Sequence, residues 1–169
     1  MRRAGFDRGG ALLESVLLVP VLAALFVGAL EMGKITLTYF TLHQAMRGAA
    51  RMAATLQGAD FCDPEDPQLL ALKTFLVYGP EGEGSGPLVR ELTPDQIQIL
   101  PERAIPEEGV ILPCPCAGSQ GCRVSEGGRA PDYVAATIPD GYPFQPRLPF
   151  RVLDPILLRP RVRVPFAGL

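Results

Sequence analysis

The apolar positions fall into two regimes along the chain. From Ala11 to Leu30 they are nearly continuous, interrupted only by Glu14, Ser15, Pro20 and Gly28. Twenty helical residues at ~1.5 Å each cover ~30 Å, the thickness of a bilayer's hydrocarbon core, so the run predicts a transmembrane helix. A helix this apolar on every side could otherwise be buried only inside a large domain, for which the chain has no room. From Ile35 to Leu56 the pattern becomes amphipathic. Ile35, Tyr39, Leu42, Met46, Ala49, Ala53 and Leu56 recur in steps of four and three, and Lys34, Thr41, Gln44, Arg51 and Thr55 take the opposite face. Ala49 and Ala53 are small enough to admit a close neighbour. No turn signal separates the two regimes at Glu31-Met32-Gly33-Lys34, so one helix is expected to run through both. A cleaved secretory signal would instead show a shorter apolar core and a small-residue cleavage site.

Asp60-Phe61-Cys62-Asp63-Pro64-Glu65-Asp66-Pro67 ends that helix. Asp66 as N-cap and Pro67 at the first position start a shorter second helix, reaching about Tyr78 before Gly79-Pro80. Calcium binding in the acidic loop would require a ligand spacing that it lacks, so a capping role is expected. The Gly79–Gly86 connector lacks the Lys-Ser/Thr of a phosphate-binding loop. Beyond Thr93 the signals are short strands: Gln96 to Leu100, Val110 to Leu112, Val134 to Ile138 and Val162 to Val164. Seven prolines between Pro139 and Pro165 keep the remaining stretch extended and interrupted.

Composition narrows the function. With 169 residues there is room for one domain and an anchor. A formal net charge of −2 disfavours a nucleic-acid surface, which needs clustered excess Lys and Arg. Eighteen prolines and eighteen glycines exclude a mostly helical exported part. His43 is the one histidine, and no nucleophile–base–orienter set can be assembled from the spacing, so neither catalysis nor a cofactor is expected. Arg2, Arg3 and Arg8 precede the apolar run against a single Asp7, which orients the N-terminus to the cytoplasm and exports the rest. In an oxidising compartment the four cysteines, Cys62, Cys114, Cys116 and Cys122, are expected to form disulfides. Cys114 and Cys116 are one residue apart and strained as a pair, so each is expected to bond Cys62 or Cys122. A zinc site is the competing reading, but the paired ligand spacing it needs is absent.

Glu14 is the charge that the membrane run must tolerate. Its setting is Arg8-Gly9-Gly10-Ala11-Leu12-Leu13-Glu14, a basic leader ending in glycine with a Glu shortly after it. This resembles the processing site of type IV pilins. The resemblance implies a cut between Gly9 and Gly10 by a prepilin peptidase, making Glu14 the fifth mature residue, placed to pair with a neighbouring subunit's new amine. Glu31-Met32-Gly33-Lys34, the Ala45–Ala54 helix end and Tyr133–Ile138 resemble TadE-like pseudopilins of tight-adherence (Flp-type) pili. Ser15 stands where that family usually carries an aromatic residue. The implied organisation is a basic leader (1–9), a transmembrane helix (10–33), its continuation (34–57) and a small exported α+β domain with a Cys loop (58–169). The helix would pack on a small, irregular antiparallel sheet. The implied partners are other pilin-like subunits, pilus-assembly membrane proteins and membrane lipid in a bacterial cytoplasmic membrane. A non-polymerising, membrane-anchored binding module is the alternative.

Overall fold

The structure is a computed structural model describing residues 8–169 except 81, 83, 85, 108, 119, 120, 149, 150, 153 and 169. For residues 8–13, 147, 148, 151 and 152 it describes the backbone alone. Helix α1 (Arg8–Thr55) is unbroken over 48 residues and passes through Pro20, giving a rod ~72 Å long. Helix α2 (Pro67–Tyr78) begins where the sequence predicts. The Asp66 carboxylate accepts hydrogen bonds from the Gln68 and Leu69 amides at 2.8 and 3.2 Å, satisfying two orphan donors of the first turn. It also takes the Asp60 amide at 3.0 Å, folding the acidic loop onto the helix start.

Eight strands follow among the described residues: β1 (Gln98–Ile105), β2 (Val110–Pro113), β3 (Tyr133–Thr137), β4 (Tyr142–Phe144), β5 (Arg147–Leu148), β6 (Arg151–Val152), β7 (Ile156–Leu158) and β8 (Arg161–Pro165). The principal sheet is antiparallel in the order β2-β1-β3-β8, with β4–β7 and β5–β6 as separate two-stranded pairs. The fold is therefore α+β, a long N-terminal helix on a small antiparallel sheet. Strand β1 starts two residues later than the sequence suggests, because Pro94–Gln96 first make a 3₁₀ turn. Thr93 and Gln96 cap that turn reciprocally.

Pro101 lies inside the central strand β1, where a missing amide should break the ladder. Its carbonyl still accepts the Cys114 amide at 2.9 Å. Pairing with β2 begins at Glu102–Pro113, so Pro101 falls where the partner strand is already leaving the sheet. The cost of its absent donor is confined to that end.

Leu42, Met46, Ala49, Ala50 and Ala53 of α1 are fully buried against Val134, Ala136 and Val162 of the sheet and Leu69, Leu72 and Leu76 of α2. The alanines let the sheet approach the helix closely, as the seam implies. Lys34, Thr41, Gln44, Arg51 and Thr55 are exposed. Ala167 donates its amide to the Ala54 carbonyl at 2.9 Å, capping α1 from the segment after β8. The strand direction follows from that contact: β8 runs toward the helix C-terminus, and the opposite end of the domain lies beside residues 31–41.

Candidate membrane and assembly surface

The two halves of α1 meet different surroundings. Nine large apolar side chains between Val16 and Leu30 are 51–71% exposed. No described residue covers them, and the most apolar 18-residue window of the helix has a mean hydropathy of 2.2. A helix of this length and composition could span a membrane. Removing the exposed part of these nine side chains from water is worth of order 8–16 kcal/mol, as much as the whole stability of a folded domain.

Gly9 and Gly10 lie in the first turn of α1, where the backbone is helical. Residues 1–7, the rest of the expected leader, lie outside the described residues. Glu14 is exposed on α1, more than four helical turns before Glu31, the first buried residue among the described side chains of the helix. The processing residues and Glu14 therefore share the uncovered end of the helix, and the cysteines are at the other.

Cys62 bonds Cys116 and Cys114 bonds Cys122. All four sulfurs are oxidised, which leaves no thiolate for the zinc alternative. Strand β2 delivers Cys114 to the top of a tight loop in which the Cys122 amide donates to the Pro115 carbonyl at 2.9 Å. The loop's return stretch packs backbone on backbone: a Cβ on Gly128 would sit 2.5 Å from the Gly121 carbonyl oxygen, so only glycine fits. Arg103 of β1 ties this loop to the sheet, its Nη2 donating to the Arg129 carbonyl at 2.6 Å and the Gly121 carbonyl at 3.3 Å. Two disulfides mark an exported domain in an oxidising compartment. His43 makes a tilted ring contact with Tyr39, the centroids 6.1 Å apart.

Sequence reasoning missed two features. The first is Glu102, whose side chain is wholly buried on the face of the sheet away from α1. Arg161 and Arg163 of β8 both donate to its carboxylate. They reach it across β3 because Ala135, between Leu100 and Arg163 in register, is small. Burial pushes the Glu102 carboxyl up, but the hydrogen bonds from Arg163 and Arg161, with their charges, more than reverse this and hold it below its ordinary value. The signal was present as a lone Glu in an apolar strand and the alternation Arg161-Val162-Arg163-Val164, but their pairing depends on a three-strand register.

The second is a groove of about 470 Å³ where the domain meets α1. Glu31 and Lys34 form its helix wall, joined by a 2.6 Å salt bridge, and Glu31 is buried. Leu88, Arg90 and Glu91 form the second wall, and Tyr142 to Gln145 the third. The Tyr142 hydroxyl donates to the Arg90 carbonyl at 2.7 Å and fixes the 88–91 loop against β4. Burial, and then the nearby Glu91 carboxylate, push the Tyr142 hydroxyl up against the opposing effect of Arg90, so it stays a neutral donor. Glu91 has φ 63° and is the one non-glycine residue with positive φ among the described residues. That conformation costs an L side chain ~1–2 kcal/mol, which a glycine would avoid.

These features define an α+β domain stapled by two disulfides and continuous with one helix that is long and apolar enough to span a membrane. No protein-family model matches the chain, and neither a curated protein nor a solved structure does.

Proposed function

We propose that the chain is a minor pilin-like, TadE-like subunit that takes part in assembling a tight-adherence (Flp-type) pilus. Its helix would cross the cytoplasmic membrane with the N-terminus inside and the disulfide-bonded domain exported. The observation that supports this best is the continuity of α1. One helix carries Gly9-Gly10, Glu14 and an uncovered apolar half, and its second half is built into the domain core. A simple anchor needs neither the glycines nor a carboxylate at that depth.

In this reading a prepilin peptidase cuts between Gly9 and Gly10, and the new amine pairs with Glu14 of a neighbouring subunit in hydrocarbon. Glu14→Gln would then leave the amine unpaired in a low-dielectric setting, costing ~3 kcal/mol or more. Assembly would weaken more than about a hundredfold while the exported domain stays folded. The test combines intact mass of the membrane-extracted protein with co-purification of pilus-assembly partners for both forms. An uncut chain whose Glu14→Gln form co-purifies equally well would reject the pilin reading and leave the anchored binding module. Release of the chain from membranes by alkaline carbonate would reject both.

A further inference from the structure

The level of the groove along α1 can be placed against a bilayer. Ala11 to Leu30 accounts for ~30 Å of helix, which matches the hydrocarbon core. Each headgroup layer adds about 5–8 Å, or roughly three to five further helical residues. Glu31 and Lys34 fall within that layer, and the loops that bury Glu31 must fall there with them. The membrane-near end of the groove, at Glu31 and Lys34, therefore opens among lipid headgroups, while its far end at Leu37, Thr38 and Thr41 reaches beyond them, and its volume lies in the range of about 300–1,000 Å³ typical of small-ligand sites.

We propose that this groove holds the headgroup of a zwitterionic aminophospholipid, with the phosphate on Lys34 and Arg90 and the primary ammonium on Glu91. The proposal rests on the membrane-spanning part of the reading above and not on fibre assembly. Charge supports it: Glu31, Lys34, Arg90 and Glu91 line the groove with two cations and two carboxylates. A purely anionic headgroup would meet both carboxylates, whereas a zwitterion satisfies both signs. The groove is also built. Tyr142 pins the Arg90 backbone, and Glu31 orients the Lys34 ammonium, which keeps further donors for a phosphate. Glu91 occupies a backbone conformation suited to glycine, strain of a kind that clusters at ligand contacts, and its carboxylate lies 3.8 Å from Arg90 with both side chains 77% exposed, so that both are open to a headgroup. Leu88, 62% exposed, would rest against the lipid boundary.

The test is native mass spectrometry of the full chain released from micelles holding equal amounts of phosphatidylethanolamine, phosphatidylcholine and phosphatidylglycerol. Phosphatidylethanolamine should be retained about tenfold over the other two, the value of one charge-assisted hydrogen bond. Phosphatidylcholine has no N–H to give Glu91, and phosphatidylglycerol has no cation. Lys34→Gln should lower retention of all three, and Glu91→Gln should abolish the preference. Glu91→Gly should raise the thermal midpoint and still lose the preference, a split that a purely structural role would not produce. Equal retention of the three lipids, a preference for phosphatidylglycerol, a preference that survives Glu91→Gln, or retention undiminished by Lys34→Gln would overturn the proposal. In a chain that carbonate leaves in the membrane, those results reject the groove alone, whereas a chain that carbonate releases rejects the span beneath it.

Discussion

Glu102→Gln should destabilise the exported domain by ~2–3 kcal/mol at neutral pH. The wild-type carboxylate accepts from two guanidinium groups with no surface of its own exposed. Each charge-assisted hydrogen bond is worth ~1.5–3 kcal/mol. The amide can serve one arginine through its oxygen, but its NH₂ must then face the other, donor against donor. Breaking a fully buried ion pair costs ~3–5 kcal/mol, but Arg161 and Arg163 keep 50% and 35% exposure and can rehydrate, so the cost falls below that range. Thermal unfolding of the full chain in detergent, disulfides intact and followed by circular dichroism, should show the midpoint lowered by ~8–12 °C. The pH dependence checks the cause. Because the folded carboxyl lies below its ordinary value of 4.5, its contribution is complete above that value and is lost as pH falls through the lower folded one. The wild-type and variant midpoints should therefore converge in acid. Glu102→Met, which fills the space without a misdirected donor, should cost less than the glutamine. A glutamine variant within ~0.5 kcal/mol of wild type, or a gap undiminished at roughly pH 3, would refute the account.

The two disulfides should differ in worth. Cys62–Cys116 closes a separation of 54 residues and Cys114–Cys122 one of 8, which in the loop-entropy treatment gives ~4 against ~2.5 kcal/mol. Paired serine substitutions and denaturant midpoints measure the difference, and equal losses would contradict it; alkylation of the freshly exported, non-reduced protein should label none of the four. Asp66→Ala should cost ~1–2 kcal/mol and speed hydrogen exchange at the Gln68 and Leu69 amides, which would be unaffected if the cap were idle. Burial pushes the Asp66 carboxyl up, but the amides of Asp60, Leu69 and Gln68 outweigh this and hold it below its ordinary 3.8. The cap is therefore fully effective above that value and weakens as pH falls through the lower folded one.

What was legible in the sequence was local. The apolar run, the four-and-three seam and Asp66-Pro67 each carry their signal within a few turns of chain, and α1 and α2 follow them. The four strands of the main sheet could be placed because short runs bearing Val and Ile stand between turn residues there, alternating with polar residues at Ile97 and Ile99 and at Val162 and Val164. The pairs β4–β7 and β5–β6 were hidden among prolines, since Pro143 in β4 weakens a period-two pattern already only three residues long. Local strain excluded a Cys114–Cys116 bond. Which partner each cysteine takes depended on β2 leaving the sheet beside Pro101, a tertiary event. Glu102 and its arginines are about sixty residues apart, and the groove gathers three distant segments. Neither has a spacing that a linear reading could detect.

The place of β8 in chain order has a consequence for biogenesis. This strand follows all the others, yet it supplies both arginines for Glu102, closes the edge of β3 and leads into the segment that caps α1 at Ala54. In the proposed topology, a domain threaded across the membrane in chain order after α1, and stalled just before Arg161, would hold a buried carboxylate without its counter-charges and a helix end without its cap. Such an intermediate gains little by folding early. The domain should therefore stay loose during translocation and lock only once residues 161–168 have emerged, a timing that keeps residues 58–160 threadable until then.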